Sequence, residues 1–389
     1  MRTQGGQPHA GGLPYWELAG FYFFYFAFVG VISPYWSLYL KSLSFTAFEI
    51  GVLMSLLAVM RMFAPNVWGH LADRHGRRVF IVQIAALSSV IAFSGVFLGE
   101  SFALLFVCMA LLAFFWSASL PLVEATTLSH LGERTDLYGS IRLWGSVGFI
   151  LSVVGVGYLL DYLPLRWLPW IVLATLVGVA LFSRHIPEAQ VASHDSAPGS
   201  VWAVLRKPPV MALIAACFLM SAAHGPYYTF YSIYLAAHGY SKSGIGWLWA
   251  LGVLCEIGVF LYAGRLFGRL SLETVLKASF AFAVARFLII AWGVRHPWLI
   301  VLAQTFHAAT FGAYHASAIA LVHRFFPGRL QARGQALYNS ISFGAGGTLG
   351  SLYAGYSWDL WGPAVTYSLA AGCALLALLL LAWQLGPGR

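Results

Sequence analysis

Five ionisable side chains lie inside long apolar runs of this sequence: Arg61, Glu124, Arg142, Glu256 and Arg286. A charged group at the centre of a membrane-spanning helix costs about 2.5–3.5 kcal/mol, so a set this large is rarely retained for structure alone. Ion pairs that lock neighbouring helices together are the structural alternative for any one residue. The functional alternative is solute binding and proton transfer, because a guanidinium binds carboxylates through parallel hydrogen bonds and nearby charges change the proton affinity of a buried acid.

Residues 121–149 place two of these groups close together. Glu124 lies in one apolar run and Arg142 in the next, and the short charged turn Gly132–Asp136 joins the two runs. Both side chains are therefore expected within a few helical turns of the same membrane face, where neighbouring helices can bring them together. We predict that they bind substrate, with Arg142 on its carboxylate or hydroxyl groups and Glu124 as the partner of Arg142.

Aromatic side chains in the flanking runs could stack on a flat organic solute. We predict Tyr22, Trp144 and Tyr228 as substrate-binding rings. Further candidate rings are Tyr25, Phe26, Trp36, Trp116, Tyr227 and Tyr231. Because 16% of the residues are aromatic, packing and contact with lipid are strong alternatives for any single ring.

The composition identifies the elements that must position these groups. Of the 389 residues, 60% are hydrophobic and only 9% are charged, whereas soluble domains carry about 25% charged residues. Continuous apolar runs of about 20 residues recur along the sequence, each long enough to span a bilayer as a helix. We predict an all-α membrane protein with twelve transmembrane helices in two pseudo-symmetric six-helix bundles. The predicted helices are residues 15–40, 47–68, 79–98, 102–131, 138–160, 166–184, 208–238, 242–264, 274–293, 297–323, 334–358 and 361–383.

The longest polar segment, residues 185–207, divides the chain. We predict a cytoplasmic N-terminus at 1–14, an N-terminal six-helix bundle at 15–184, a cytoplasmic linker at 185–207, a C-terminal six-helix bundle at 208–384 and a tail at 385–389. With both termini inside, fifteen Lys and Arg residues fall on the cytoplasmic side and only four on the opposite side, namely Lys41, Arg166, Lys242 and Arg295. This positive-inside bias predicts a multi-pass protein of the plasma (inner) membrane with both termini cytoplasmic.

The two halves are related in sequence at a fixed offset of 195 residues. Matched positions include Ser37–Leu40 with Ser232–Leu235, Gly51 with Gly246, Gly139 with Gly334 and Gly155 with Gly350. Parallel six-helix repeats are typical of transporters that bind substrate between the halves near the membrane midplane. The same offset places Arg61 opposite Glu256. Glycines on the fifth and eleventh predicted helices suit close helix packing, either as sliding surfaces or as static contacts.

The segment after the second predicted helix reads Gly69-His70-Leu71-Ala72-Asp73-Arg74-His75-Gly76-Arg77-Arg78. It resembles the G-x-L-A-D-R-x-G-R-R/K signature of the major facilitator superfamily at every defined position. The resemblance implies a secondary transporter in which this loop is a gate or conformational latch, formed by Gly69, Asp73, Arg74, Gly76 and Arg77. The alternative is a positive-inside anchor, which requires basic residues but neither Asp73 nor two glycines.

Two further segments point to one branch of that superfamily. Val123-Glu124-Ala125 and Tyr138-Gly139-Ser140-Ile141-Arg142-Leu143-Trp144-Gly145 resemble the branch that contains the lactose permease and the phenylpropionic acid permease family. The stretch from Ala223 to Trp249 is more similar to the phenylpropionate permeases. In the lactose permease the positions that match Glu124 and Arg142 bind sugar, so the resemblance implies a substrate role for both.

The resemblance also implies proton-coupling roles for Glu256, Arg286 and His307, which match members of the charged network of the lactose permease. Two positions depart from that permease, because Gln304 stands where it has a Lys and Thr310 where it has its proton-carrying acid. The groups that remain to carry a coupled proton are Glu256, His307 and Glu124.

Other classes of function lack a basis in the sequence. The net charge of +9 does not indicate nucleic acid, because there is no basic helix or aromatic-interleaved basic patch. The four cysteines fall in apolar runs without disulfide or metal spacing. His307 and His315 are eight residues apart, about 80° around an α-helix, so no common ligand face is expected. Without catalytic or nucleotide-binding motifs, we expect no metal, no cofactor, no catalytic residues and no enzyme activity.

Together these features predict a proton-coupled symporter that imports a small organic solute by alternating access, with an aromatic monocarboxylate similar to 3-phenylpropionate as the first candidate. A sugar symporter similar to the lactose permease, or a nucleoside symporter, is the main alternative. A channel, a membrane-embedded sensor and a structural subunit are weaker ones. The expected partners are the small-molecule substrate, protons and the lipid bilayer, and we expect the chain to function as a monomer.

Overall fold

The computed structural model describes residues 13–189 and 201–385, and the regular secondary structure of these ranges is all helical. The predicted all-α fold is therefore confirmed. Most of the predicted N-terminal segment (1–14), the central part of the predicted linker (185–207) and nearly all of the predicted tail (385–389) lie outside the described residues.

The helices of the described ranges are numbered α1 to α12 in chain order. Their bounds are α1 Tyr15–Ser42, α2 Ala47–His75, α3 Arg78–Ser94, α4 Phe102–Leu131, α5 Tyr138–Tyr162, α6 Leu168–Ser183, α7 Pro208–Ala223 with Gly225–Ala237, α8 Lys242–Arg269, α9 Leu272–Gly293, α10 Pro297–Thr305 with Ala308–Ala313 and Tyr314–Phe325, α11 Gln331–Asn339 with Ser340–Gly346 and the first part of Gly347–Gln384, and α12 the remainder of Gly347–Gln384. A short helix, Val201–Leu205, precedes α7.

Ten continuous helical segments of the described ranges are long and apolar enough to cross a membrane. The last of them, Gln331–Gln384, has 54 residues, or about 80 Å of helix, which is more than twice the roughly 30 Å of a bilayer core. It changes direction at Gly362, whose φ of 80° is outside the helical region, and so forms both α11 and α12. We call the face with the start of α1 and the end of α12 the termini side, and the opposite face the far side.

α7 is broken at His224, where Gly225 and Pro226 begin its second segment. Pro226 has no N–H to donate to the carbonyl of Ala222, four residues earlier. That carbonyl accepts a hydrogen bond from the Tyr353 hydroxyl at 3.2 Å instead. The single helix predicted at 208–238 is therefore two helical segments, and the break leaves His224 buried inside the second half.

α10 and α11 each contain a π-helical turn, Ala308–Ala313 and Ser340–Gly346. Such turns are rare and occur frequently at functional sites. In α10 the turn brings the rings of His307, Phe311 and His315 into one parallel stack, with centroids 5.4 and 6.1 Å apart and interplanar angles of 11° and 9°. Phe311 lies between the two histidine rings in this stack.

The two halves approach closely on the far side at two helix crossings, α5 with α8 and α2 with α11. A Cβ atom added at Gly246 on α8 would lie 2.5 Å from the Val153 carbonyl oxygen on α5. At the other crossing, a Cβ at Gly51 on α2 would lie 2.6 Å from the Ser351 carbonyl oxygen on α11. Only glycine allows the backbones to come this near, so the far side is tightly packed.

The crossings also correct the predicted register of α5 and α11. Gly157 and Gly355 are equivalent at these crossings, since a Cβ at either position would lie 2.7 Å from a carbonyl oxygen of the facing helix. Their numbers differ by 198 rather than 195. The predicted match of Gly155 with Gly350 is not seen in the packing, because a Cβ at Gly155 would meet nothing within 4 Å, whereas Gly350 packs against Ala222 on α7.

The predicted gating segment is mostly helical. Gly69, Asp73 and Arg74 belong to the last turns of α2, which ends at His75. Gly76 has the left-handed φ of 64° that glycine favours at a helix C-terminus. Of the two glycines in the motif, only Gly76 therefore makes a tight turn, and Arg77 follows it on the termini side.

Candidate functional site

Glu124 and Arg142 form an ion pair between α4 and α5. Arg142 Nε lies 3.6 Å from Glu124 Oε1, and about a third of each side chain is exposed, 31% for Arg142 and 36% for Glu124. α5, which carries Arg142, packs against α8 of the second half at Gly246. The two residues that the sequence predicts to meet are thus paired at the boundary between the halves.

Two aromatic rings of α1 support the Arg142 guanidinium. Its central carbon lies 4.2 Å from the ring centre of Phe26 and 5.3 Å from that of Tyr22, a geometry that attracts a cation to the ring face. Gly145, one turn further along α5, makes room for this arrangement, because a Cβ there would lie 2.7 Å from Phe26 Cδ2 and 2.9 Å from Arg142 Nη1. The guanidinium is held in place while part of it stays accessible.

Tyr22 is tied to α4 through Thr127. The two hydroxyl oxygens lie 3.2 Å apart, and Thr127 donates its own hydrogen to the Val123 carbonyl at 2.7 Å, so Tyr22 is the donor. Thr127 was missed by sequence reasoning. Its spacing of three residues from Glu124 was the available signal, because residues i and i+3 share a helix face.

Trp144 lies outside this group. Its indole N–H donates to the Tyr15 hydroxyl at 3.3 Å, and its ring packs edge-on against Trp16, with centroids 5.7 Å apart. Positions two residues apart are about 200° apart around an α-helix, so Arg142 and Trp144 point to opposite sides of α5. Trp144, predicted as a substrate-binding ring, therefore does not lie beside the ion pair.

Tyr228 lies in the second half, within an aromatic cluster. Its ring centroid is 5.2 Å from that of Tyr227 and 6.1 Å from that of Trp249. Trp249 lies on α8, the helix that also carries Glu256. The segment Gly225–Ala237, which carries Tyr228, packs against α1 of the first half, so this cluster adjoins the boundary between the halves.

Arg286 is fully buried on α9 and is held by neutral groups. Its Nε donates to the Ala303 carbonyl at 3.1 Å, Nη1 to Thr310 Oγ1 at 3.0 Å and Nη2 to Gln304 Oε1 at 3.1 Å. The guanidinium also lies over the Tyr227 ring, 4.2 Å from its centre. Neither ion pair found among the described residues includes Arg286. Two of these acceptors, Gln304 and Thr310, are the positions that depart from the lactose permease.

His224 completes this buried cluster and was not predicted. Its Nδ1 lies 2.9 Å from the Met220 carbonyl and must donate to it, which leaves Nε2 to accept from Arg286 Nη1 at 3.4 Å. A histidine inside an apolar run, directly before Gly225 and Pro226, was the signal in the sequence. The helix break gives His224 its position.

Of the three predicted coupling residues, Arg286 and His307 lie beside Tyr227. Glu256 packs against the π-helical turn of α10, where a Cβ at Gly312 would lie 3.1 Å from Glu256 Cγ. The His307 ring centroid is 5.6 Å from that of Tyr227, and within the described ranges its Nδ1 has no hydrogen-bond partner. A Cβ at Gly252 on α8 would lie 3.1 Å from His307 Cδ2. Glu256 follows Gly252 by one turn of α8, so His307 packs against the turn of α8 that precedes Glu256.

Other parts of the described chain offer weaker sites. A surface groove of about 470 Å³ between α3 and α6 has mainly apolar residues around it, including Ile84, Leu87 and Val177, and lies away from the ion pair. No group of three His, Cys, Asp or Glu residues within 13–189 and 201–385 could hold a metal ion. The Glu124–Arg142 pair remains the best candidate.

The fold is similar to that of a solved nucleoside transporter. The crystal structure of a point mutant of NupG has a TM-score of 0.86 to this chain, covers 95% of it and 99% of its own length, and is 18% identical. At this identity the likeness concerns the fold alone.

Relatives in sequence cover nearly the whole chain. A protein of Escherichia coli (strain K12) named "Probable 3-phenylpropionic acid transporter" is 29% identical over 362 residues, which are 91% of this chain and 94% of the relative. The maltose permease of Geobacillus stearothermophilus is 28% identical over 369 residues, which are 93% of this chain and 92% of the permease.

The family assignment agrees with the fold and with these relatives. The sequence model of the MFS_1 like family matches residues 15–369, which include the ion pair, the buried Arg286 cluster and both far-side crossings. The chain is a multi-pass membrane transporter rather than an enzyme, and it belongs to the MFS_1-like family of the major facilitator superfamily.

Proposed function

We propose that the chain is a proton-coupled symporter that imports an aromatic monocarboxylate similar to 3-phenylpropionate by alternating access. The Glu124–Arg142 pair beside the Phe26 and Tyr22 rings carries this proposal. A guanidinium has five N–H donors, more than Glu124 can occupy, so a substrate carboxylate has donors to bind. A phenyl group of the substrate would pack against the adjacent rings.

Glu256 would carry the proton. It is a partly buried carboxyl group in neither of the two ion pairs of the described residues, and its helix α8 packs against α5, which carries Arg142. An anionic substrate on Arg142 would offset that positive charge, and so couple substrate binding to the proton occupancy of Glu256. Arg286 and His307 would adjust this coupling from the buried side of the second half.

Gating, topology and assembly complete the proposal. Residues 15–184 and 208–384 would move as two bundles, and the segment with Gly69, Asp73, Arg74, Gly76 and Arg77 would latch the termini side when the far side opens. Both termini would be cytoplasmic in the plasma membrane, and one chain would suffice for transport. The packed far side and the partly exposed Arg142 support a conformation that opens towards the termini.

A sugar or nucleoside proton symporter is the second candidate. The maltose permease relative supports a sugar, and Tyr22 and Tyr228 could stack on a sugar face or a nucleobase. Such a substrate would use Arg142 and Glu124 for hydroxyl groups rather than for a carboxylate.

Counterflow in proteoliposomes tests these proposals. Vesicles would be loaded with unlabelled 3-phenylpropionate, maltose, lactose or uridine, and the entry of the labelled compound would be followed. We expect exchange with 3-phenylpropionate and, under an imposed pH gradient, uphill accumulation that a protonophore abolishes. Exchange with a sugar or nucleoside alone would overturn the substrate proposal, and exchange without uphill accumulation would overturn proton coupling.

A further inference from the structure

Two aspartates each bind the first turn of a helix in the other half of the molecule. Asp161, at the far-side end of α5, accepts hydrogen bonds from the backbone N–H groups of Lys242 at 2.8 Å and Ser243 at 3.2 Å, where α8 begins. Asp359, on α11, accepts from the backbone N–H groups of Ala47 at 3.4 Å and Phe48 at 3.1 Å, where α2 begins. The sequence did not single out either aspartate.

The two contacts are equivalent under the internal repeat. The first residues of α2 and α8 differ by 195 in number, and Asp161 and Asp359 differ by 198, the same register as Gly157 and Gly355. Each contact therefore sits one turn beyond a glycine crossing of the same two helices. A single contact could be incidental, whereas two equivalent ones indicate a regular feature of the far side.

The first N–H groups of α2 and α8 are capped partly by residues of the same half and partly by the aspartate of the other half. An α-helix leaves its first N–H groups without partners. In α2 and α8 the third is satisfied locally, since Thr46 Oγ1 accepts from Glu49 N at 3.2 Å and Ser241 Oγ accepts from Gly244 N at 3.0 Å. Within 13–189 and 201–385, the first two N–H groups donate only to the aspartate from the opposite half.

A carboxylate at a helix N-terminus is stabilised by these donors and by the helix dipole. All four hydrogen bonds cross between the halves, so they exist only while the far side is closed. Both aspartates are exposed, so water can replace them when the halves separate. The contacts therefore favour the closed far side without locking it.

We propose that Asp161 and Asp359 form a paired capping latch that sets the equilibrium between the conformation with a closed far side and the conformation with an open far side. This inference rests on the alternating access proposed above. The latch lies at the opposite end of the molecule from the Gly69–Arg77 motif, so the two devices would hold opposite conformations.

Distances across the far side test the latch. Spin labels would be attached to Lys41→Cys and Arg295→Cys, both exposed on the far side of different halves, after the four native cysteines are replaced. Pulsed electron–electron double resonance would then give the fraction of molecules with the longer distance between the labels, in which the far side is open. Asp161→Asn and Asp359→Asn should each raise the ratio of open to closed molecules roughly two- to fivefold, and the double variant should combine both effects.

The chain offers a matched control in Glu188. Its carboxylate accepts from the backbone N–H groups of Val79 at 3.0 Å and Phe80 at 3.4 Å, so it also caps a helix, but it joins α3 to the segment after α6 rather than to the other half. Glu188→Gln should leave the distance distribution unchanged, and the conservative Asp161→Glu and Asp359→Glu pair should restore part of the closed population.

An unchanged distribution in the double Asn variant, or an equal shift in Glu188→Gln, would overturn the latch. Because this measurement needs no substrate, it is independent of the transport proposal. A shifted distribution together with no counterflow would retain the latch and reject the proposed substrates.

Discussion

At the scale of single residues, the candidate site depends on the shape of a guanidinium as well as on its charge. Arg142 contacts Glu124, Phe26 and Tyr22 at once, whereas a Lys ammonium is a compact point charge without a planar fork. Arg142→Lys should lower uptake roughly ten- to hundredfold, since a hydrogen bond to a charged group contributes about 1.5–3 kcal/mol. Uptake into proteoliposomes, normalised to the amount of folded protein, measures the loss.

The same chemical change at Arg166 provides the control. Arg166 is exposed in the turn between α5 and α6 on the far side, so Arg166→Lys should retain uptake. Equal uptake by Arg142→Lys and the unsubstituted protein would exclude Arg142 from the substrate site.

The proposed role of Glu256 as proton carrier predicts that substitution of this residue separates exchange from accumulation. Glutamine keeps the size and polarity of the side chain but cannot take up a proton. Glu256→Gln should therefore preserve counterflow within about twofold of the original rate and abolish uphill uptake driven by a pH gradient. Glu133→Gln, in the exposed turn after α4, should preserve both activities. Normal accumulation by Glu256→Gln would assign the proton to another group.

At the scale of helices, the regular parts follow from the length of the apolar runs. The helix predicted at 102–131 is α4, Phe102–Leu131, and the short turn after it allowed the meeting of Glu124 and Arg142 on neighbouring helices to be predicted. Trp144 was misplaced because it is near Arg142 in the chain but on the opposite side of α5. The angular spacing of residues around an α-helix would have shown that Arg142 and Trp144 lie on opposite sides.

Interruptions of the helices were less predictable. A π-turn is one residue wider than an α-helical turn and has no characteristic residue type, so the stack of His307, Phe311 and His315 could not be read from the sequence. The break at His224 had a signal in Gly225 and Pro226, although the contact of His224 with Arg286 depends on tertiary packing. The 198 register likewise appears only when α5 and α11 are packed against their partners.

The crossing of α5 with α8 gives a prediction at this scale. A Cβ at Gly157 would lie 2.6 Å from the Tyr35 hydroxyl and 2.7 Å from the Lys242 carbonyl oxygen. Such overpacking costs about 1–3 kcal/mol, so Gly157→Ala should push the far side open and lower the initial uptake rate by about fivefold or more. Gly155→Ala, two residues away with nothing within 4 Å of the new Cβ, should retain the rate. Equal rates for the two variants would contradict a close crossing at Gly157.

At the scale of the whole molecule, the Lys and Arg residues behind the net charge of +9 are unevenly distributed. Few of them lie on the far side, and this bias predicts the orientation of the chain in the membrane. Glu100 lies exposed in the turn before α4 on the far side, and Glu133 lies exposed in the turn after α4 on the termini side. In intact cells, a membrane-impermeant maleimide should label Glu100→Cys and not Glu133→Cys, whereas both should react after the membrane is permeabilised. The native cysteines lie within helices, two of them buried, so the unsubstituted protein gives the background. Labelling of Glu133→Cys alone in intact cells would reverse the orientation and place the exposed face of the Glu124–Arg142 site outside the cell.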